Sequence, residues 1–98
     1  MEREYAARIE PGLRVMVTAG AAGIGRVIVE ALHTYGAHIH VCDIDVDAIE
    51  NLNSSLPEVG TTVADVADAS QVDHFFTEAE THLGGLDVLV NNAGIAGP

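Results

Sequence analysis

The chain has 98 residues, of which 48% are hydrophobic, and a formal net charge of −11. That length and apolar content suit one small domain with its own core and exclude a two-domain or disordered chain. There is no lysine, and the basic residues apart from histidine are Arg3, Arg8, Arg14 and Arg26, which excludes binding to nucleic acid or an anionic membrane through a basic footprint.

The N-terminus, Met1 to Gly12, is charged and lacks the apolar core of a signal peptide. It reads as a short lead-in, helical or frayed. Val15-Met16-Val17 is a continuous apolar run that predicts a strand buried on both faces. After a glycine-rich turn, Ile24, Val27, Ile28, Ala31, Leu32 and Tyr35 recur at helical spacing, and Gly36 can end that helix. Ile39-His40-Val41-Cys42 predicts a second strand stopping at Asp43. Asp45 can cap a helix carrying Val46, Ile49 and Leu52, which Pro57 closes. Thr61 to Ala64 predicts a third strand stopping at Asp65. Asp68 with Gln71 fits a capping box for a helix with Val72, Phe75, Phe76, Ala79 and Leu83 on one face. Gly84-Gly85 ends it, and Val88-Leu89-Val90 is a fourth strand.

Strand and helix alternate throughout, which predicts a parallel sheet with helices against its faces. No linker interrupts the chain, so residues 1–98 form one unit, with 1–12 as the lead-in. No apolar run approaches the ~18 residues that span a bilayer. The one cysteine, Cys42, lies in an apolar strand and reads as an inert buried thiol. Together these features predict a soluble, cytoplasmic protein, with the acid excess as a solvated surface.

Two stretches carry the chemistry. Val17-Thr18-Ala19-Gly20-Ala21-Ala22-Gly23-Ile24-Gly25 runs from a strand through a glycine turn into a helix. That arrangement sets backbone N–H groups and a positive helix end around an anion. Gly23 and Gly25 allow a tight turn and close approach to a pyrophosphate, and Gly20 adds freedom at the strand end. A purely structural turn is the alternative. Asn91-Asn92-Ala93-Gly94 closes the fourth strand. Its amides can tie neighbouring backbone together while its small residues leave room for a ligand.

The two stretches resemble the Thr-Gly-x-x-x-Gly-x-Gly and Asn-Asn-Ala-Gly motifs of the short-chain dehydrogenase/reductase family. They bracket nearly the whole chain. The resemblance implies an α/β, Rossmann-like sheet of order 3-2-1-4, truncated after the fourth strand. It implies that Thr18, Gly20, Gly23, Ile24 and Gly25 bind a dinucleotide at its pyrophosphate. Asn92, Ala93 and Gly94 would line the cofactor, with Asn91 bracing the sheet. Asp65-Val66 resembles the adenine-contacting pair, the carboxylate accepting from the adenine amino group and the Val66 N–H facing a ring nitrogen. A helix cap is the alternative there. Ala19 stands where the family's first motif glycine normally stands, and a methyl group fits there at negative φ.

Asp43, about 20 residues beyond the glycine turn, can accept from both ribose hydroxyls and would repel a 2′-phosphate. No Arg or Lys stands beside it, and Ala22 offers no charge. NAD is therefore favoured over NADP, with Arg26 the one group able to swing toward a phosphate. The alternative, that Asp43 caps the next helix, is better filled by Asp45.

Metal patterns are incomplete. Asp43, Asp45 and Asp47 imitate a calcium loop, but Ala48 stands where that loop needs Gly and Ser54 where it needs Glu. His38 and His40 share a strand face without a third ligand at suitable spacing. His33, His74 and His82 read as helix-surface residues.

The family's catalytic Ser and Tyr-x-x-x-Lys have no counterpart: Tyr5 is followed four residues on by Ile9, and Tyr35 by Ile39. No catalytic residue is therefore assigned, and the chain by itself should not turn over. The resemblance implies the NAD-binding part of a longer, homo-oligomeric oxidoreductase acting on a small alcohol/carbonyl substrate by hydride transfer. A non-catalytic nucleotide-binding or interaction module is the main alternative. A methyltransferase-like segment is another, and the Thr18 turn spacing and Asn91-Asn92-Ala93-Gly94 count against it. The uncharged fourth strand should be an exposed edge prone to self-association. Some of Val15, Met16, Val17, Ile39 and Val41 should then face water.

Overall fold

The apolar runs become strands and the amphipathic stretches between them become helices. The computed structural model describes residues 11–93. Its elements are β1 (Arg14–Thr18), α1 (Gly23–Thr34), β2 (His38–Asp43), α2 (Val46–Ser55), β3 (Gly60–Val63), α3 (Ala69–Leu83) and β4 (Val88–Val90). The strands pair in parallel in the order β3-β2-β1-β4, the predicted topology. Val17 pairs with Val41 on one side and Val90 on the other. This register brings the carboxyl ends of the strands to one edge of the sheet.

The pleat sends successive side chains to opposite faces. Val15, Val17, Ile39 and Val41 pack with Val29 of α1 and Ile49 and Leu52 of α2. Met16, Cys42 and Ala64 pack with Phe75 and Ala79 of α3. One face of the sheet is therefore covered by α1 and α2, the other by α3. The expectation that some of Val15, Met16, Val17, Ile39 and Val41 face water is overturned: none is more than 1% exposed. β1 and β2 are the interior strands, and the three helices suffice to cover both their faces. Exposure falls instead on Val88 and Leu89 of β4, with Leu86, Val66 and Phe76 nearby in sequence or across α3. Among the described residues β4 pairs with β1 alone, so it is a sheet edge.

The helix faces differ in part from their spacing. In α1 the buried residues are Gly25 and Val29, with Leu32 packed against them, whereas Ile24 is 69% and Val27 65% exposed. The apolar stripe of α1 is wider than the strip the sheet covers. In α2, Ile49 and Leu52 are buried but Val46 is exposed. In α3, Phe75 and Ala79 are buried and Phe76 is exposed.

Asp45 caps α2, its Oδ1 accepting from Ala48 N at 3.1 Å. Asp68 caps α3, accepting from Ser70 N at 2.9 Å and Gln71 N at 3.4 Å. The capping box is only half formed. Gln71 Oε1 accepts from Asp65 N at 2.7 Å instead of from Asp68 N, because Asp68 N already donates to Asp65 O. Gly84 ends α3 in the left-handed conformation, φ 76°. The start of β1 is clamped to the entry of β4. Arg14 donates to Asp87 from Nη2 at 3.0 Å, from Nε at 3.1 Å and from its backbone N at 2.8 Å. These bonds hold the Asp87 carboxyl down at about 2, so the clamp is intact at neutral pH. Among the described residues no helix is long and apolar enough to cross a membrane.

Candidate functional site at the strand carboxyl ends

A cavity of about 240 Å³ opens at the carboxyl edge of the sheet, lined by Ala19, Cys42, Asp43, Ile44, Ala64, Asp65, Val66 and Ala93. Parallel packing explains it: the chain leaves β1 and β2 toward the α1/α2 face but leaves β3 toward the α3 face, so the strand ends part and a crevice remains. Of the residues singled out from sequence, Asp43, Asp65, Val66 and Ala93 line this cavity. Thr18, Gly20, Gly23, Ile24, Gly25 and Asn92 are not on its walls; they build or flank the turn beside it. Gly94 lies outside the described residues.

Each glycine of the turn has its own reason. A Cβ at Gly25 would overlap the Ala19 carbonyl oxygen and lie 2.8 Å from Asn92 Nδ2. The close approach at Gly25 is thus between the helix start and the turn itself. Gly23 has φ +59° and open space around it, so its role is conformational. Gly20 has a different one from the expected freedom: a Cβ there would lie 2.9 Å from Val41 Cγ1, so the constraint is packing against β2.

Ala19 does not meet the condition under which its methyl group fits without strain. Its φ is 53°, not negative. The chain must reverse within one residue of β1 to bring Gly25 under the Ala19 carbonyl, and the alanine takes the left-handed conformation that a glycine would take without cost. For an L-residue that conformation costs about 1–2 kcal/mol. Replacement by glycine removes the strain but loosens the unfolded chain by about 0.4–1 kcal/mol. Ala19→Gly should therefore stabilise the protein by up to about 1 kcal/mol, read from the urea midpoint. A lower midpoint would contradict the assigned strain.

The two motifs are joined by side chains. Ala93 N donates to Thr18 Oγ1 at 2.9 Å, and the hydroxyl proton faces Asn91 Oδ1 at 3.2 Å and Val90 O at 3.5 Å. Asn92 Nδ2 donates to Ala19 O at 3.2 Å. Thr18 is buried, and its hydroxyl is spent on the segment after β4. Asn92 thus ties the segment after β4 to the glycine turn, and Asn91 ties it to the end of β1 through Thr18.

The electrostatics single out α1. Its N-cap, Ala22, makes no side-chain cap bond, and its first turn holds no acid. α2 and α3 are both capped by aspartate. The first-turn N–H groups of α1 are therefore available to an external anion, and the helix dipole favours one. Asp43 Oδ2 accepts from Ala21 N at 3.2 Å and its Oδ1 from Asp45 N at 3.0 Å. Asp43 thus ties the glycine turn to the end of β2, while Asp45 does the capping. Each Asp43 oxygen keeps a further acceptor site. Asp65 Oδ1 accepts from Ala67 N at 2.9 Å, within its own loop; Asp68, not Asp65, caps α3. Arg26 is pinned toward α2, its Nε donating to Glu30 Oε2 at 2.9 Å and Nη1 to Asn51 Oδ1 at 3.1 Å. Cys42 is buried, and that burial pushes its thiol up to about 11.

His74 and His82 are exposed on α3, as expected, but His82 also makes a contact that spacing did not show. His38 is exposed, but His40 is buried and approaches His82, Nδ1 to Nδ1, at 3.1 Å. His82 is therefore more than a surface residue of α3. A separation of 42 residues hid the pair from any spacing argument. Among the described residues no group of three or more His, Cys, Asp and Glu side chains is arranged to cage a metal.

The comparisons agree with this geometry. The family described as short chain dehydrogenase matches residues 14–98. Levodione reductase of Leifsonia aquatica is 35% identical over 89 residues, covering 85% of this chain and 33% of that protein. L-2,3-butanediol dehydrogenase of Corynebacterium glutamicum is 41% identical over 87 residues, covering 83% of this chain and 34% of that protein. A short-chain dehydrogenase/reductase structure from Serratia marcescens superposes with a TM-score of 0.81 at 35% identity, covering 89% of this chain and 38% of that one. The chain spans about a third of the length of the curated relatives it matches. With the parallel 3-2-1-4 sheet, the glycine turn and the match over residues 14–98, the chain belongs to the short-chain dehydrogenase/reductase family.

Proposed function

We propose that this chain is the NAD-binding segment of an oxidoreductase that moves hydride between the nicotinamide and a small alcohol/carbonyl substrate. The observation that carries the reading is the pairing of an uncapped α1 N-terminus with a carboxylate at the end of the neighbouring strand. The first feature suits a pyrophosphate and the second a ribose diol. The residues fit the group. The Gly23, Ile24 and Gly25 N–H groups supply donors, and Thr18 and Asn92 hold the turn that presents them. Asp43 accepts from the ribose. Asp65 and Val66 bound the far side of the cavity, where an adenine would be read, and Ala93 leaves room for the second ribose.

When bound, the nicotinamide supplies the hydride chemistry. The segment holds no lysine, so its share of the reaction is to hold and orient the dinucleotide. Two arguments favour NAD over NADP. The Asp43 carboxylate repels a 2′-phosphate, and Arg26 is engaged with Glu30 and Asn51 instead of turning toward the site.

Calorimetry with NAD and NADP on the full-length protein tests this. NAD should bind at least about tenfold tighter, a difference of about 1.4 kcal/mol. Asp43→Ala should shrink that ratio. If Asp43 served only to brace the turn, its loss would weaken both cofactors equally and leave the ratio unchanged. Tighter binding of NADP by the unaltered protein would contradict the assignment.

A further inference from the structure

A second polar cluster lies away from the cofactor groove, at the amino-terminal end of β3, where α3 packs over β2. His40 on β2 and His82 in the last turn of α3 bring their Nδ1 atoms to 3.1 Å. On the other side of its ring, His40 Nε2 lies 2.8 Å from Thr62 Oγ1, which lies 2.6 Å from Glu78 Oε1. A carboxylate only accepts, so the Thr62 hydroxyl donates to Glu78. Its oxygen then accepts from His40 Nε2–H. The neutral His40 ring therefore carries its lone pair on Nδ1, aimed at His82. Metal-ligating histidines are oriented in this way, with the second ring nitrogen donating to a fixed acceptor.

We propose that His40 Nδ1 and His82 Nδ1 chelate a divalent transition cation of the zinc, nickel or copper class, with water filling the remaining positions. Two Zn–N bonds of about 2.0–2.1 Å at a tetrahedral angle set their nitrogens about 3.3 Å apart, so the observed separation needs only a small opening. Imidazole pairs select these cations over magnesium and calcium, which take oxygen ligands. His82 is exposed, and water can receive its Nε2–H once Nδ1 becomes a ligand. Gly60 leaves the necessary space: a Cβ there would overlap both Nδ1 atoms. The pair opens on a groove of about 500 Å³, bordered also by His74 and Glu78, which gives water and metal a route in. The site has two protein ligands and open positions, unlike a closed structural cage. It stands independently of the cofactor reading.

The test uses untagged full-length protein and nickel chloride, followed by the histidine ring NMR signals. Paramagnetic nickel should broaden His40 and His82 first among the five histidines of residues 1–98. Zinc calorimetry should then show binding weakened at least about tenfold by His82→Ala, by Gly60→Ala and by Thr62→Val, the loss typical when a ligand or its supporting partner is removed. His74→Ala should leave it unchanged. Equal broadening of all histidines, or broadening led by His74, would overturn the proposal. So would zinc affinity unaffected by His82→Ala, or no binding at millimolar zinc. The nickel measurement needs no variant, so it decides the matter even if a substitution unfolds the protein.

Discussion

Gly25→Ala should destabilise the protein by about 3 kcal/mol or more and abolish dinucleotide binding. The added methyl would overlap the Ala19 carbonyl oxygen and crowd Asn92 Nδ2 at 2.8 Å. Both obstacles are hard to move. The carbonyl belongs to a backbone already held at φ 53°, and Asn92 is bonded to that same oxygen. Relief requires α1 to shift away from β1, which breaks the geometry of the glycine turn on which the proposed binding depends. Gly23→Ala is the control. Nothing lies within 4 Å of its Cβ position, so it should cost only the left-handed strain of about 1–2 kcal/mol. Urea denaturation of the two variants separates them. A Gly25 variant no worse than the Gly23 variant would mean that the turn is looser than described.

Phe75→Ala should cost about 3–5 kcal/mol, the range for emptying a buried aromatic site. Phe75 is 1% exposed and fills the α3 side of the sheet among Met16, Cys42, Ala64 and Ala79. Its ring also lies 5.9 Å from that of His40. A domain of this kind has about 5–15 kcal/mol in total, so the variant should be close to unfolded at 37 °C. Its neighbour Phe76 is 40% exposed, and Phe76→Ala should cost under about 1 kcal/mol. Similar losses for the two would contradict the assignment of the buried face of α3.

The order of elements was legible because interior parallel strands are mostly apolar runs, and Val15 to Val17 and Ile39 to Cys42 read as such. The strand order was legible only through the family resemblance of the glycine turn and Asn91-Asn92-Ala93-Gly94, because local pattern does not fix it. The walls of the cavity were legible where an acidic residue ends a strand, as at Asp43 and Asp65. What resisted was tertiary. The apolar stripe on α1 predicts burial of Ile24 and Val27, but spacing does not say how wide a strip the sheet covers. Residue identity does not set φ, so alanine at position 19 suggested a negative value, whereas the closure of the turn against Gly25 demanded a positive one. The resemblance placed Thr18 at the cofactor; the partners that take up its hydroxyl lie 72 to 75 residues away. The exposure expected of the central strands fell on β4, because three helices already cover both faces of β1 and β2.

The central claim is that a dinucleotide sits across the carboxyl edge of the sheet, with its pyrophosphate on the α1 N-terminus. Titration of NAD into ¹⁵N-labelled full-length protein, followed by amide chemical shifts, tests it most directly. The account predicts the largest shifts at Gly23, Ile24 and Gly25. Smaller ones should follow at Asp43, Ile44, Asp65, Val66 and Ala93, and none at Gly60, Thr61 or His82. Unchanged amides in the glycine turn at saturating NAD, or shifts centred on the β3 groove instead, would contradict it.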